Sequence, residues 1–463
     1  MSIDSLLAVA DQVEAAVKPY TPMIVLGTIM IVTYIVIAFD VLHKSLAALC
    51  GAIAAVIAAM WFGVFKSDAG HSAYDRAVHD IIGHDLGVVG VIIGTSVLVE
   101  IASRSGLFHF LAVKIVKQTG GDPGRLLLLM MLATMLFVTF LTIAPGTMIM
   151  VSLALVVTKE LHLSPKPYVI AIALTANSGA LMTLASGICT LMLGKAGDLA
   201  YLDFFRVTTP MALISGWVTY EFVRRYFRSE MVSPDSPEQR RQRVAQFDEW
   251  ALVKDVNLFY RSAFILGATV IGFATAKTLG VGLDFIAFCG ATAALLLSGI
   301  HPDEAIKKVN WSMILFFVGL FVIIGSVTET GLLAMLAQWM IDLSGGSELL
   351  TLLILSGFVL VASGIVDNIP VAATLIPIVR AMESQFTAGP LWWGLILSAN
   401  LGGNSTPIGS VSTVIALNAL EKERGVKVGW GEFLRIGGVL MLIQAVLVMA
   451  YLSIFSVFDL FPK

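Results

Sequence analysis

The sequence predicts an all-α, polytopic membrane protein made of two inverted repeats of five spans, each with a re-entrant hairpin and a broken helix. Three observations carry that expectation. The first is composition: 57% of the 463 residues are hydrophobic and 13% charged, and the mean hydropathy is +0.89. Soluble domains carry about 25% charge, and a soluble chain this apolar could not cover its own surface. The second is duplication. Gly106-Leu107-Phe108 returns as Gly331-Leu332-Leu333, Gly120-Gly121 as Gly345-Gly346 and Pro145 as Pro370, each 225 residues later (331−106, 345−120, 370−145). Further on, Ala176-Asn177-Ser178-Gly179 returns as Ala399-Asn400-Leu401-Gly402, and Asp203-Phe204-Phe205-Arg206 as Glu432-Phe433-Leu434-Arg435. The third is the placement of Lys and Arg, which sets orientation.

Crossing the hydrocarbon takes about 20 apolar residues. Such runs lie near 22–39, 45–65, 86–103, 167–193, 204–224, 259–277, 281–299, 311–327, 391–420 and 432–455. Two more apolar regions, 125–158 and 350–381, are too short for two spans each and carry Pro145 or Pro370 near the centre; each reads as a re-entrant hairpin. The chain divides into an N-terminal segment (1–21), a first repeat (22–224), a cytoplasmic linker (225–258), a second repeat (259–455) and a tail (456–463). Residues 1–21 show no charged start followed by an apolar run, which argues against a cleavable signal peptide. The linker, with Ser233-Pro234-Asp235-Ser236-Pro237 and many charges, reads as a solvated strap or a docking loop.

Basic residues mark cytoplasmic loops. The 225–255 loop holds Arg225, Arg228, Arg240, Arg241, Arg243 and Lys254, and Lys114, Lys117 and Arg125 flank the first hairpin. The loops flanking the second hairpin, 341–349 and 382–390, contain no Lys or Arg. The first hairpin therefore opens to the cytoplasm and the second to the outside. Five spans per half is an odd number, so the halves are inverted and both termini lie outside.

Irregular backbone at membrane depth is tolerated only where protein or water satisfies it, and four such places stand out. At the second hairpin tip, Asp367-Asn368-Ile369-Pro370 places a carboxylate and an amide where Pro370 can open a helix at its first position. Asp367 and Asn368 read as a helix cap, and also as a site for Na+ or H+, because a carboxylate at this depth is expensive and usually functional. In the break within 391–420, Asn400, Gly402, Gly403, Asn404, Ser405, Thr406, Pro407 and Gly409 interrupt an apolar span. Such a break exposes carbonyls that hold cations and N–H groups that hold anions. The first-half break, with Asn177, Ser178, Gly179 and Thr183, has Leu181 where the second has Asn404. The first hairpin tip, Thr142-Ile143-Ala144-Pro145-Gly146-Thr147, keeps the proline but has Thr142 and Ile143 at the positions of Asp367 and Asn368.

Other polar groups carry less. Glu100 and Arg104 read as snorkelling or paired at the interface; Arg380 reads as an outer anchor, and Asp40, His43 and Lys44 as a cytoplasmic turn. His71, His79 and His84 with Asp75, Asp80 and Asp85 are too loosely spaced for a metal site. The cysteines Cys50, Cys189 and Cys289 all lie in apolar segments, which argues against a disulfide framework. No HExxH or Gly-x-Ser-x-Gly is present, no second membrane aspartate pairs with Asp367, and the net charge of −3 gives no sign of nucleic acid.

At Asp367-Asn368-Ile369-Pro370 and the following Val371 to Pro377, the chain resembles the ion transporter superfamily. It is most similar to the branch with arsenite permeases, NhaD-type sodium–proton antiporters and the melanosomal P-protein, which share a citrate-transporter-like domain. Pro390-Leu391-Trp392-Trp393, the Ala399-to-Gly409 break and His301-Pro302-Asp303-Glu304-Ala305 with Asn310-Trp311 carry the same resemblance, which covers about 22–455. It implies scaffold and transport parts, frequent homodimers in a bacterial inner membrane, and elevator-like alternating access. The first half departs from the branch, which carries Asp-Asn followed by Thr at its first tip. One coupling site, at Asp367, remains. The expected function is secondary transport of a small ion: an inorganic or organic anion, or Na+ exchanged for H+. Asp367 and Asn368 would hold Na+ or H+, the only cofactor expected. Asn404, Ser405, Thr406, Gly402, Gly403, Asn400, Asn177, Thr183, Thr142 and Thr147 would shape the site. A transport-inactive sensor or structural protein on the same fold is the alternative.

Overall fold

The structure, a computed structural model, describes residues 20–39, 41–65 and 81–462 (backbone only at 81–86 and 388). Among the described residues every regular element is helical, and nine helices are long and apolar enough to cross a membrane. The first half runs α1 (Thr21–Ala38), α2 (Lys44–Trp61), α3 (Ile81–Arg104), α4 (Leu107–Gln118), α5 (Pro123–Leu141), α6 (Ile143–Glu160), α7 (Pro165–Gly179), α8 (Ile188–Ala196) and α9 (Asp203–Tyr226). A linker helix α10 (Pro237–Ala245) follows. The second half runs α11 (Val256–Leu279), α12 (Leu283–Ser298), the single turn α13 (Pro302–Ile306), α14 (Trp311–Glu329), α15 (Leu332–Leu343), α16 (Glu348–Ile365), α17 (Asn368–Met382), α18 (Ala388–Gly402) and α19 (Val411–Arg424). The last span is α20 (Trp430–Phe433), a wider π-type turn over Leu434–Gly438, and α21 (Val439–Val457).

The duplication is visible helix by helix. The short amphipathic helices α4 and α15 both start after a left-handed glycine, Gly106 at φ 80° and Gly331 at φ 81°. A side chain there would be strained, which is why the glycine recurs. Both broken helices are interrupted for eight residues, 180–187 and 403–410, and their boundaries repeat 223 residues apart (402−179, 411−188). Each first segment is sealed from its surroundings: every residue of Pro167–Gly179 and of Pro390–Gly402 is buried. Their apolar sequence therefore reflects protein interior and not lipid contact.

The described residues fall into two compact groupings, neither confined to one half. One holds the described residues up to Leu86 with Asn310–Ser347 and Ala373–Phe386. The other holds Gly87–Val309, Glu348–Ala372 and Thr387 onward. In the first, α2 packs against α14 from the other half, and a Cβ on Gly319 would lie 2.7 Å from the carbonyl carbon of Ala48. In the second, α12 meets α3, and a Cβ on Gly94 would lie 2.6 Å from the carbonyl carbon of Ala287. Gly94 and Gly319 are 225 apart, so one close helix crossing is built twice, with the halves exchanging partners.

Several expectations need adjustment. The first hairpin's arms, α5 and α6, have 19 and 18 residues and are joined by Thr142 alone. At 1.5 Å per residue each reaches about 27 Å, so neither is too short for a span. The tip is sharp: a Cβ on Gly146 would lie 3.1 Å from the backbone nitrogen of Val138 on the opposite arm. Pro145 and Pro370 occupy the third position of α6 and α17, not the first. The first four N–H groups of a helix lack intrahelical acceptors, so proline is harmless at either place. The linker carries a helix of its own and touches the first half. Ser236 and Gln239 form a capping box that starts α10, Arg243 donates to the Glu160 carbonyl at 2.7 Å, and Trp250 sits 4.6 Å from the Phe110 ring. The end of α21 is closed by the Leu460 N–H on the Phe455 carbonyl at 2.9 Å. Asp40, Asp75, Asp80, His71 and His79, and the side chains of His84 and Asp85, lie outside the described residues.

Candidate functional site

Asp367 stands immediately before α17 and is 7% exposed. Its Oδ1 accepts the Ile369 N–H at 3.5 Å, the cap that an aspartate at this place offers. Asn368 is buried beside it, and the Cys189 thiol, in the first turn of α8, faces the Asn368 carbonyl at 3.9 Å. The next residue of α8, Thr190, accepts from the Asn400 Nδ2 of α18 at 3.2 Å. Asn400 Oδ1 is buried without a hydrogen-bond partner among the described residues. The second hairpin tip, the start of α8 and the end of α18 are thus linked through Asp367, Asn368, Cys189, Thr190 and Asn400. A carboxylate, a backbone carbonyl and an orphaned amide oxygen all present acceptors there, a donor set that suits a cation or a proton. No Lys or Arg occurs in 366–372, 399–411 or 176–190. Negative charge on a substrate would therefore be met by helix N-termini or by a bound cation.

The second break is fastened to the arm leading to that tip. Thr406 Oγ1 donates to the Gly364 carbonyl at 2.6 Å, and Ser363 Oγ to the Ala399 carbonyl at 2.5 Å. Ser405 donates to the Gly402 carbonyl at 3.0 Å. Gly402 and Gly403 lie against the carbonyls of Leu360 and Gly409, where a Cβ would not fit. The first break is held by its own hydroxyls: Ser186 and Thr190 donate to the Ala180 carbonyl at 2.6 and 2.7 Å, and Ser186 also accepts the Thr183 N–H.

Asn177 and Asn404, expected at the substrate, are bonded to each other at 2.8 Å and wholly buried. Asn404 continues to Gln444 of α21 at 3.0 Å. Gln444 was not among the residues expected from sequence, although it is the one amide in the otherwise apolar stretch 436–457. Burial of that amide was the available signal. Cys189 had no signal beyond its position.

Thr142 and Thr147 do not join this group. Thr142 lines a separate small crevice with Thr95, Thr139, Ala185, Tyr201 and Thr269. Thr147 is buried with its hydroxyl unpartnered among the described residues. Thr142 has φ 68° and ψ 173°, a region otherwise almost reserved for glycine. Glu100 and Arg104 are paired at 2.7 Å, and Arg104 also reaches Glu304 at 2.8 Å. That makes them a surface ion-pair group. Asn404, the start of an Asn-Ser-Thr sequon, is inaccessible.

Comparison with known proteins bears on all of this. The description of the family CitMHS, citrate transporter, matches residues 34–397. A Mycobacterium bovis protein described as an uncharacterized transporter is 28% identical over 433 residues, spanning 93% of this chain and 97% of its own. The P protein of Mus musculus is 25% identical over 501 aligned positions, covering 91% of this chain and 59% of its own. The YdaH transporter of Alcanivorax borkumensis, whose crystal structure is described as having an unusual topology, aligns with a TM-score of 0.64 at 14% identity, over 91% of this chain and 100% of that one. It shares the fold. With the family match spanning most of its length, the chain belongs to the citrate transporter family within the ion transporter superfamily, and is a multi-pass membrane transporter and not an enzyme.

Proposed function

We propose that the protein is a secondary active transporter of a small ion that works by elevator-type alternating access, with coupling centred on Asp367. The observation that carries this reading is the Asp367 carboxylate: it is nearly buried at a helix junction, next in the chain to Asn368, whose carbonyl faces Cys189, and Thr190 beside that cysteine is bonded to Asn400. A buried carboxylate keeps its charge only when something positive neutralises it. Loading and unloading of Na+ or H+ at Asp367 then changes the charge of the site as it alternates between the two sides. Helix N-termini at α8 and α17 suit an anionic substrate once that cation is bound. The family description makes citrate the first substrate to test; sodium–proton exchange is the reading in which the coupling ion is itself the cargo. The branch it resembles supports a homodimer in a bacterial inner membrane, and the basic loops support termini on the outer side, with the repeats at 22–224 and 259–455 joined by the 225–258 linker.

The test is reconstitution in liposomes, recording proton movement while citrate, dicarboxylates, arsenite, silicate, Na+ and Li+ are offered in turn. Wild-type protein is expected to move at least one of them, and Asp367→Asn to abolish that flux. Normal flux in Asp367→Asn refutes the coupling site. Silence of the wild type towards every ion favours a transport-inactive protein on this fold.

A further inference from the structure

The amides of Asn177, Asn404 and Gln444 run head to tail. Asn177 Nδ2 donates to Asn404 Oδ1 at 2.8 Å, Asn404 Nδ2 to Gln444 Oε1 at 3.0 Å, and Gln444 Nε2 to Ser215 Oγ at 2.8 Å, with Thr219 Oγ1 at 3.4 Å. Ser215 shares a hydrogen bond at 2.9 Å with Ser178, the residue after Asn177, so the chain of bonds closes into a circuit. Ser410 donates to the remaining Asn177 oxygen at 2.8 Å. The three amides and both of these serines, 178 and 215, are 0% exposed. Each amide both gives and receives, so turning any one over would set like groups against each other. The circuit joins α7, the second break, α21 and α9. Gly437, in the π-type turn of the last span, backs onto the Asn404 carbonyl, where a Cβ would overlap it. Two residues beyond Asn404, Thr406 holds the Gly364 carbonyl, three residues before Asp367.

We infer that Gln444 is a positioning residue for ion coupling: it orients Asn404 and, through the second break, sets the geometry of the tip that carries Asp367. Asn177 and Asn404 then serve as frame, because the circuit already uses their amides, and the transported ion meets Asp367, Asn368 and Asn400 instead. A fully satisfied buried polar network specifies one arrangement, and a partly satisfied one is costly. Removing Gln444 leaves the Asn404 donor and the Ser215 hydroxyl to find new partners inside the protein.

This inference rests on the transport reading above, and its test separates the two. Gln444→Leu keeps the bulk and removes both bonds. Gln444→Glu keeps the acceptor for Asn404. Hydrogen–deuterium exchange on the purified protein reads the frame without any substrate. The half-saturating concentration of the coupling cation in liposomes reads the positioning. Loss of one such bond corresponds to about a tenfold change. Gln444→Leu is therefore expected to speed exchange at 403–410 about tenfold, to leave 180–187 near wild type, and to raise the half-saturating concentration about tenfold with little change in maximal rate. Gln444→Glu is expected to restore most of both. Should the leucine variant not fold, Gln444→Asn, one methylene short of the same bonds, replaces it with the same expectations. Protection at 403–410 equal to wild type, or exchange raised evenly over the whole protein, overturns the inference. So does an unchanged half-saturating concentration. Failure of the transport reading shows separately, as normal flux in Asp367→Asn.

Discussion

Replacing Gly319 or Gly94 by alanine tests whether the halves really exchange partners through one repeated crossing. An added Cβ would stand 2.7 Å from the Ala48 carbonyl carbon in the first case and 2.6 Å from that of Ala287 in the second. Ordinary contact begins at 3.4 Å, so the helices must separate by 0.7 to 0.8 Å (3.4−2.7, 3.4−2.6). The obstacle is backbone in both cases, which cannot swing aside as a side chain could. Overpacking of this kind costs about 1–3 kcal/mol. Removing a glycine from a helix interior returns about 1 kcal/mol. Taking the upper part of the cost, each variant should lose about 1–2 kcal/mol. Gly267→Ala in α11 is the control, because nothing lies within 4 Å of its Cβ; the propensity gain is then unopposed, about 1 kcal/mol in favour. Thermal unfolding of the purified protein in detergent should place Gly94→Ala and Gly319→Ala together below wild type and Gly267→Ala at or above it. Gly319→Ala melting with Gly267→Ala would refute the tight crossing. A large gap between Gly94→Ala and Gly319→Ala would refute its repetition.

Two further outcomes follow from local geometry. Thr142 occupies a backbone region that costs a non-glycine residue about 1–3 kcal/mol; Thr142→Gly relieves this, less about 0.5–1 kcal/mol of chain entropy, and should raise the unfolding midpoint, whereas Thr142→Val should not. The Lys117 ammonium of α4, 2.6 Å from Glu249 of the linker, holds that carboxyl below its ordinary range. A depressed carboxylate stabilises the fold at neutral pH and loses that contribution as pH falls below the unfolded value of about 4.3 and through the lower folded one. Glu249→Gln should accordingly melt below wild type at pH 7, the two should converge in acid, and added salt should narrow the gap.

The fold was legible because it is written in features that backbone geometry enforces. Gly106 and Gly331 are needed for left-handed helix starts, and Pro145 and Pro370 sit where helices begin. The glycines recur because another residue would be strained there, and the prolines marked both hairpins. Hairpin length was misjudged because about 20 residues were asked of each span, and arms of 19 and 18 residues joined by one residue fall just under twice that. The 125–158 window stopped short of a helix pair that runs from Pro123 to Glu160, joined by a single residue. The candidate site was legible in part. Asp367 and Asn368 announced themselves as polar groups in apolar sequence, and both are buried at the start of α17. What sequence does not carry is partnership. Asn404 looked available because its neighbours in the chain are Gly403 and Ser405, yet its partners are Asn177 and Gln444, 227 and 40 residues away.

The polar asymmetry between the halves also has a geometric cause. Ser215 and Gln444 are 229 residues apart, the same offset that separates Asp203 from Glu432, so they are equivalent positions of the two repeats. They are also bonded to each other. Equivalent positions that meet across an internal duplication cannot both be long, because two glutamines would compete for one space. Two serines would leave a gap and strand Asn404, whose donor needs the reach of a glutamine. Contact at such a place therefore selects for complementary residues, one long and one short. Crossings such as Gly94 and Gly319, where each copy meets a separate partner helix, face no such demand and stay identical.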